Sequence, residues 1–167
     1  MVKIEAKLTK KEMFNFMLRH NYYSLGGVCG VIISIGALVL FFANINNDKI
    51  NNAYKIALLF VGVLFIVVQP IMLYIKSCKQ VKNSGSINKP LVYEFNDREF
   101  TISMDEESVS QSYADILKVI STRLSVIIYI NRYRAFILPK SCIGENLENL
   151  KKLISDNAKN AREITVK

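Results

Sequence analysis

A chain of 167 residues makes one or two small units, and 51% hydrophobic residues is at the apolar end for a chain that dissolves in water. The net charge is +8, yet residues 1–86 hold ten basic and three acidic side chains whereas residues 87–167 hold twelve and eleven, so the basicity is confined to the first half. The second half has no basic stripe with interleaved stacking aromatics, which removes the main argument for a nucleic-acid partner.

In chain order, Val2, Ile4, Ala6 and Leu8 alternate with Lys3, Glu5 and Lys7, the period of a half-buried strand. Thr9-Lys10-Lys11-Glu12 follows as a capping box, and Met13, Phe14, Met17 and Leu18 share one face of a helix running to about His20. That helix has two equal readings. It lies on a membrane surface with Lys10, Lys11 and Arg19 toward headgroups, or it packs on a soluble domain while leading into the next segment.

Two apolar blocks come next, residues 25–43 and 56–75, and neither contains Asp, Glu, Lys or Arg. About 20 helical residues at a rise of about 1.5 Å cross a hydrocarbon layer of about 30 Å, so both are long enough to span a bilayer. A helix buried in a water-soluble core normally keeps one polar stripe, and neither block has one. Lys3, Lys7, Lys10, Lys11 and Arg19 precede the first block, and Lys76, Lys79 and Lys82 follow the second. The connection between them carries Lys49 beside Asp48, with Lys55 at the threshold of the second helix. Cationic flanks stay inside, so the expectation is a multi-pass protein of the cell membrane with both chain ends cytoplasmic. Tyr22, Tyr23, Tyr54 and Tyr74 stand at span ends, where amphipathic rings suit the headgroup layer.

Gly26, Gly30 and Ser34, spaced by four, form a small-residue seam that admits a second helix closely, either the sister span or another protomer. Gln69-Pro70 removes a backbone donor and predicts a kink in the second span, with Gln69 bonded to backbone.

After a basic linker, residues 76–90, the pattern turns to β. Strands are expected at 91–95, 100–104, 108–113, about 116–121, 124–130 and 135–138, with turns at Asn96-Asp97, at Asp105-Glu106-Glu107 and at residues 131–134. Leu147, Leu150, Leu153 and Ile154 then repeat at helical spacing within 145–158 and provide cover for one sheet face. The expected organisation is an N-terminal strand and amphipathic helix in 1–24, a transmembrane hairpin in 25–75, and a cytoplasmic antiparallel β domain with a closing helix in 91–167.

Tyr113-Ala114-Asp115-Ile116 before Lys118-Val119, then Val126 to Ile130, then Ala135-Phe136-Ile137-Leu138-Pro139-Lys140, together resemble the YcxB-like family of small bacterial membrane proteins. Tyr113 stands where that family usually has tryptophan. The resemblance implies two membrane helices ahead of a small β domain similar to bacterial pleckstrin-homology-like folds, a split barrel closed by the C-terminal helix. It supplies no catalytic residues.

The residues themselves offer no enzyme chemistry. One histidine, His20, and three cysteines, Cys29, Cys78 and Cys142, contain no metal-ligand spacing, and no phosphate-cradling glycine loop is present. No catalytic activity and no cofactor are expected. Two functions remain. In the first, the β domain is a membrane-anchored binding module that reads a lipid headgroup or a membrane-protein segment through Lys118, Arg123, Arg132, Arg134 and Lys140, with Tyr133 as an inserting aromatic. In the second, the chain is an accessory subunit of a larger transporter or sensor, recognised through the Gly26, Gly30, Ser34 seam, or it self-associates there.

Overall fold

The computed structural model describes residues 2–83, 89–131, 134–161 and 164–165. Two compact units divide the chain, residues 1–16 with 79–167 as one and residues 17–78 as the other.

The first unit is α+β. Strand β1 (Val2–Ala6) pairs antiparallel with β2 (Leu91–Phe95), β2 with β3 (Glu99–Met104) and β3 with β4 (Glu107–Ser112), giving the order β1-β2-β3-β4. The alternation expected of residues 2–8 is present: Val2, Ile4 and Ala6 are buried, and Lys3 reaches across to Glu94, its register partner, at 2.7 Å. Sequence reasoning left this strand without a partner, since the segment that completes it lies beyond the apolar hairpin. The turn between β3 and β4 places Asp105 at φ 52°, a left-handed conformation that aspartate tolerates through local hydrogen bonding.

The second sheet has the order β7-β6-β5-β8, from β5 (Lys118–Ser121), β6 (Ser125–Tyr129), β7 (Ala135–Pro139) and a two-residue β8 (Ile164–Thr165). β8 runs parallel to β5, a pairing the purely antiparallel expectation did not contain. The strand expected at about 116–121 starts later, because Tyr113–Asp115 forms a 3₁₀ turn capped by the Ser112 hydroxyl. A helical turn at Lys140–Ile143 precedes the closing helix (Leu147–Asn157), whose Leu150 and Ile154 enter the core. That core joins Ile4, Tyr93, Phe95, Phe100, Val119, Ile128 and Leu138 from both sheets.

Helix α1 (Lys10–Tyr22) starts in this unit. The Glu12 half of its capping box forms, the carboxylate accepting from the Thr9 N–H at 3.0 Å and from the Thr9 hydroxyl, while that hydroxyl accepts from the Lys11 N–H at 3.3 Å. Met13 is buried, and Phe16 packs on Tyr129 with ring centroids 6.1 Å apart. The first turns of α1 therefore cover the β unit through Met13 and Phe16, a face turned away from Phe14 and Leu18.

In the second unit, α2 (Leu25–Asn44) packs on α3 (Asn52–Val63), which continues through a π-helical turn (Leu64–Val68) into α4 (Gln69–Asn83). The second apolar helix thus runs from Asn52 to Asn83, longer at both ends than the expected 56–75. Ser24 caps α2 by accepting from the Gly27 N–H, and Asn51 caps α3 by accepting from Ala53. Lys55 donates to the carbonyl of Ile45 at the end of α2, where a cation complements the helix dipole.

The seam needs one correction. Gly30 and Ser34 are buried against the sister helix: the Ser34 hydroxyl donates to Val61 O at 3.0 Å, and a Cβ at Gly30 would overlap the Phe65 ring. Gly26 is exposed, and a Cβ there would meet nothing within 4 Å. The buried residues of α2 are Gly27, Gly30, Ser34 and Ala37; of these Gly27 packs on the end of α1, where a Cβ would overlap the Asn21 carbonyl.

The π turn is the response to Pro70. Gln69 N–H donates to Leu64 O, five residues back. The Phe65 carbonyl thereby loses the donor four residues ahead, and five ahead stands Pro70, which has no N–H. The Tyr22 hydroxyl takes that place, donating to Phe65 O at 2.5 Å. Gln69 was expected to bond backbone; instead its amide donates to the Asn21 side chain at 2.9 Å.

Two outcomes follow from this packing. Residues 87–167 expressed alone lack β1 and leave the Tyr93 and Phe95 side of the core open; we expect that fragment to aggregate, and a chain joining residues 1–16 to 79–167 through a flexible linker to give a cooperative melt. In the hairpin, Gly30→Leu should lower the thermal midpoint of the detergent-solubilised protein by several degrees while Gly26→Leu leaves it within about one degree, read by circular dichroism.

Candidate functional site: a cleft beside the last strand

The candidate residues divide between the two ends of the second sheet. Lys118, Tyr129 and Ala135 form one cross-strand row, and Arg134 immediately precedes it. Arg123 lies in the β5–β6 turn at the opposite end, where the Lys140 N–H bonds to Leu124 O at 2.8 Å. Three to four strand residues, about 10–13 Å, separate the two groups, so they do not converge on one headgroup. Arg132 and Tyr133 lie outside the described residues.

Lys118 and Arg134 rest on aromatic rings. Lys118 Nζ is 4.8 Å from the Tyr129 centroid and Arg134 Cζ is 5.4 Å from that of Phe136, distances at which a cation is attracted by the ring face. Phe136 in turn meets Phe100 edge-on at 5.9 Å. Both faces of the second sheet are apolar: Val126 and Ile128 enter the main core, and Ile120, Ile127 and Tyr129 form a second cluster joined by Phe16. This accounts for the unbroken burial of β6.

Beside β7 is a cleft of about 230 Å³. Ala6 and Leu8 line it from the N-terminal segment, Met13 and Phe16 from α1, and Leu91 and Tyr93 from the start of β2. Its fourth wall is the strand itself, Ala135 to Ile137, with Gln80 as the polar side chain of the lining. The volume is below the range of about 300–1,000 Å³ usual for cofactor-sized ligands and suits one or two side chains.

Among the described residues β7 is an edge strand, with β6 on one side. The phase of their ladder is fixed at its ends, where Ile130 N–H donates to Arg134 O at 3.0 Å and Lys140 N–H to Leu124 O. In an antiparallel pair the bonded residues alternate with non-bonded ones. Phe136 and Leu138 therefore aim their backbone groups at β6, and Ala135 and Ile137 aim theirs away from it, on the side of the free edge. Pro139 closes that edge, having no N–H to offer. The sequence marked Arg134 and Lys118, but the cleft has no linear signature: its walls come from residues 6–16, 80, 91–93 and 135–137.

A second constellation holds the aromatic core. Tyr93, Phe95 and Phe100 stack with centroids 6.4 and 5.4 Å apart, and Tyr113 packs on Phe100 at 5.7 Å while its hydroxyl donates to Asn96 O at 2.8 Å. Tyr113 thus supplies the ring, and a hydroxyl anchor besides, at the position where the resembled family usually has tryptophan. Burial pushes the phenol pKa values of Tyr93 and Tyr113 up, and the Asp97 charge adds to the effect at Tyr113.

An α+β domain with an apolar edge cleft, joined to a pair of helices apolar enough to cross a membrane, defines a class of small domain carried with its own helical hairpin. Residues 95–154 match the family model described as YcxB-like protein, in agreement with the resemblance read from Tyr113 to Lys140. That stretch runs from the end of β2 through most of the closing helix. No curated protein and no solved structure matches the chain.

The two buried phenols set an alkaline limit. Their ionisation is suppressed in the folded state, so their contribution is complete below the unfolded-state pKa of about 10 and is lost as pH rises above it, where the unfolded chain releases protons first. Chemical denaturation between pH 9 and 11.5 should show stability falling, with a shallower fall in Tyr93→Phe.

Proposed function

We propose that this protein is a membrane-anchored binding module: its apolar hairpin spans the cell membrane with both chain ends on the cytoplasmic side, and its β domain holds a ligand in the cleft beside β7. The single observation that carries the reading is that cleft, an apolar recess with Arg134 and Lys118 poised on rings at one end of the sheet.

Spanning is supported by mean hydropathies of 2.5 and 2.7 in the two helices and by outward apolar side chains such as Ile32 and Phe42, each more than 60% exposed. Water would penalise that surface, whereas hydrocarbon would not. Orientation rests on the lysine and arginine asymmetry of the flanks. Tyr23 and Tyr54 are exposed at helix ends, as interfacial anchors would be, whereas Tyr74 is exposed within α4. Four antiparallel strands, then three, then a closing helix is the order of a pleckstrin-homology-like split barrel, with the hairpin inserted after its first strand. A single headgroup site assembled from all the basic candidates is disfavoured by their division between two ends of the sheet. Binding without catalysis is the role that this lining supports.

A second reading, docking on a larger membrane complex, moves from the original seam to the outer face of α2. Ser34 is engaged by α3 and Gly30 by Phe65 of the π turn, whereas Gly26 and Gly36 would admit a Cβ without any neighbour within 4 Å.

The test uses the full chain in native membranes. The protein should pellet with membranes at alkaline pH and leave them only in detergent. A photo-crosslinking residue at Gln80 should give a discrete adduct that Leu91→Trp, which fills the cleft, abolishes; the same group at Arg123 should give none. Equal adducts at both positions, or an adduct indifferent to Leu91→Trp, would remove the cleft as the site. Loss of a co-purifying complex in Gly26→Leu/Gly36→Leu, with the cleft variants silent, would transfer the function to α2.

A further inference from the structure

We infer that the cleft is a β-augmentation site, in which an extended peptide segment with an acidic side chain adds to the free edge of β7. This rests on the binding-module reading above and specifies its partner.

The argument begins with the hydrogen-bond phase of the strand. Ala135 and Ile137 each turn one N–H and one C=O away from β6, toward the edge that borders the cleft. Ile137 is 8% exposed and Ala135 is half-buried, so these groups lie in a recess and not on an open surface. Backbone groups in such a place are paired in nearly all folded proteins. An alkyl chain entering the cleft would strip water from all four and return nothing. An extended peptide returns two donors and two acceptors at the strand spacing, so the chemistry favours polypeptide over lipid.

The walls restrict what such a peptide carries. Successive side chains of a strand point to opposite sides, so one residue in two would enter the apolar recess between Leu8, Phe16 and Phe136. At about 230 Å³ the recess takes one side chain of valine or isoleucine size, or two smaller ones. Pro139 ends the usable edge, which limits pairing to the stretch opposite Ala135 to Ile137 and makes the docked strand short. Charge sets the flank. Arg134 is exposed with its guanidinium over Phe136, itself a wall of the cleft, whereas Lys118 lies two strands away in the Ala135 row, on the opposite face of the sheet. Glu12, the acid in the first turn of α1, is engaged by Thr9 in the capping box. A glutamate or aspartate beside the buried apolar residue meets the Arg134 guanidinium, and a lysine there is repelled.

The experiment uses the full-length protein in nanodiscs of neutral phosphatidylcholine. The probes are acetylated pentapeptides with valine, isoleucine or threonine at alternate positions and glutamate or lysine at either end, at up to about 1 mM, a range that registers weak short-peptide binding. Saturating glutamate peptide should slow amide exchange at Ala135 and Ile137 at least tenfold and leave Phe136 and Leu138, already bonded to β6, unchanged. N-methylation of the peptide backbone should abolish the effect. Arg134→Glu should weaken glutamate peptides and strengthen lysine peptides, each by about tenfold, a reversal that a merely structural role of Arg134 would not produce.

Binding that tolerates N-methylation, or exchange at Ala135 and Ile137 that no peptide slows, would overturn the inference. Slowing of the same amides by phosphatidylglycerol vesicles without peptide would assign the edge to the membrane and overturn it equally. Failure of the peptides while the Gln80 adduct persists and is lost in Leu91→Trp would reject edge pairing and leave the cleft as a binding site. Loss of the adduct together with the peptide effect would reject both.

Discussion

The fold depends on β1 pairing with β2 across the whole hairpin. Val2 and Ile4 are the cross-strand neighbours of Phe95 and Tyr93 on the buried face of one sheet, and burying the larger of these side chains is worth about 1.5–3 kcal/mol each. A strand so distant in sequence carries a closure cost that rises only with the logarithm of the intervening length. An antiparallel helical hairpin is a segment that brings its two ends back together. The apolar helices are therefore inserted into a β domain and do not simply precede it.

Within the hairpin the governing demand is that polar groups find partners inside the protein, because a hydrocarbon surrounding would supply none. Pro70 removes one donor, the π turn displaces another, and the Phe65 carbonyl is left to Tyr22. Gly30 allows the Phe65 ring to sit against α2, and Ser34 bonds Val61 O in the next contact along the seam. A tyrosine that looks like an interfacial anchor by its position thus serves as a cap for a carbonyl on another helix. One proline explains several neighbours.

In the β unit the same requirement is met almost everywhere by sheet ladders. Among the described residues the outer strands each leave one side without a ladder, and along β7 that side, at Ala135 and Ile137, borders an apolar recess. Of the other outer strands, β4 is polar and exposed along nearly its whole length, the usual protection of an edge against unwanted pairing. β7 has no such side chains. Its protection is steric, from α1 above and Pro139 at its end, and a wall of that kind leaves an opening of defined size.

The sequence by itself determined what periodicity and composition encode: the two long apolar helices, the alternation of β1, most of the strands between 91 and 139, the capping box at Thr9, and the stretch later matched to the YcxB-like family model. These signals are local, set by residues within a few positions of one another. Only the tertiary structure decided the partner of β1, the exposure of Gly26 outside the contact that Gly30 and Ser34 make, the use of Tyr22 and Asn21 as hydrogen-bond partners of the second helix, and the separation of Arg123 and Lys140 from Lys118 and Arg134. Each of these depends on which residues distant in the chain become neighbours, and on the phase of a ladder, which a one-residue shift would reverse. The cleft is the extreme case, because its walls share no segment and its chemistry lies in backbone groups that every residue possesses.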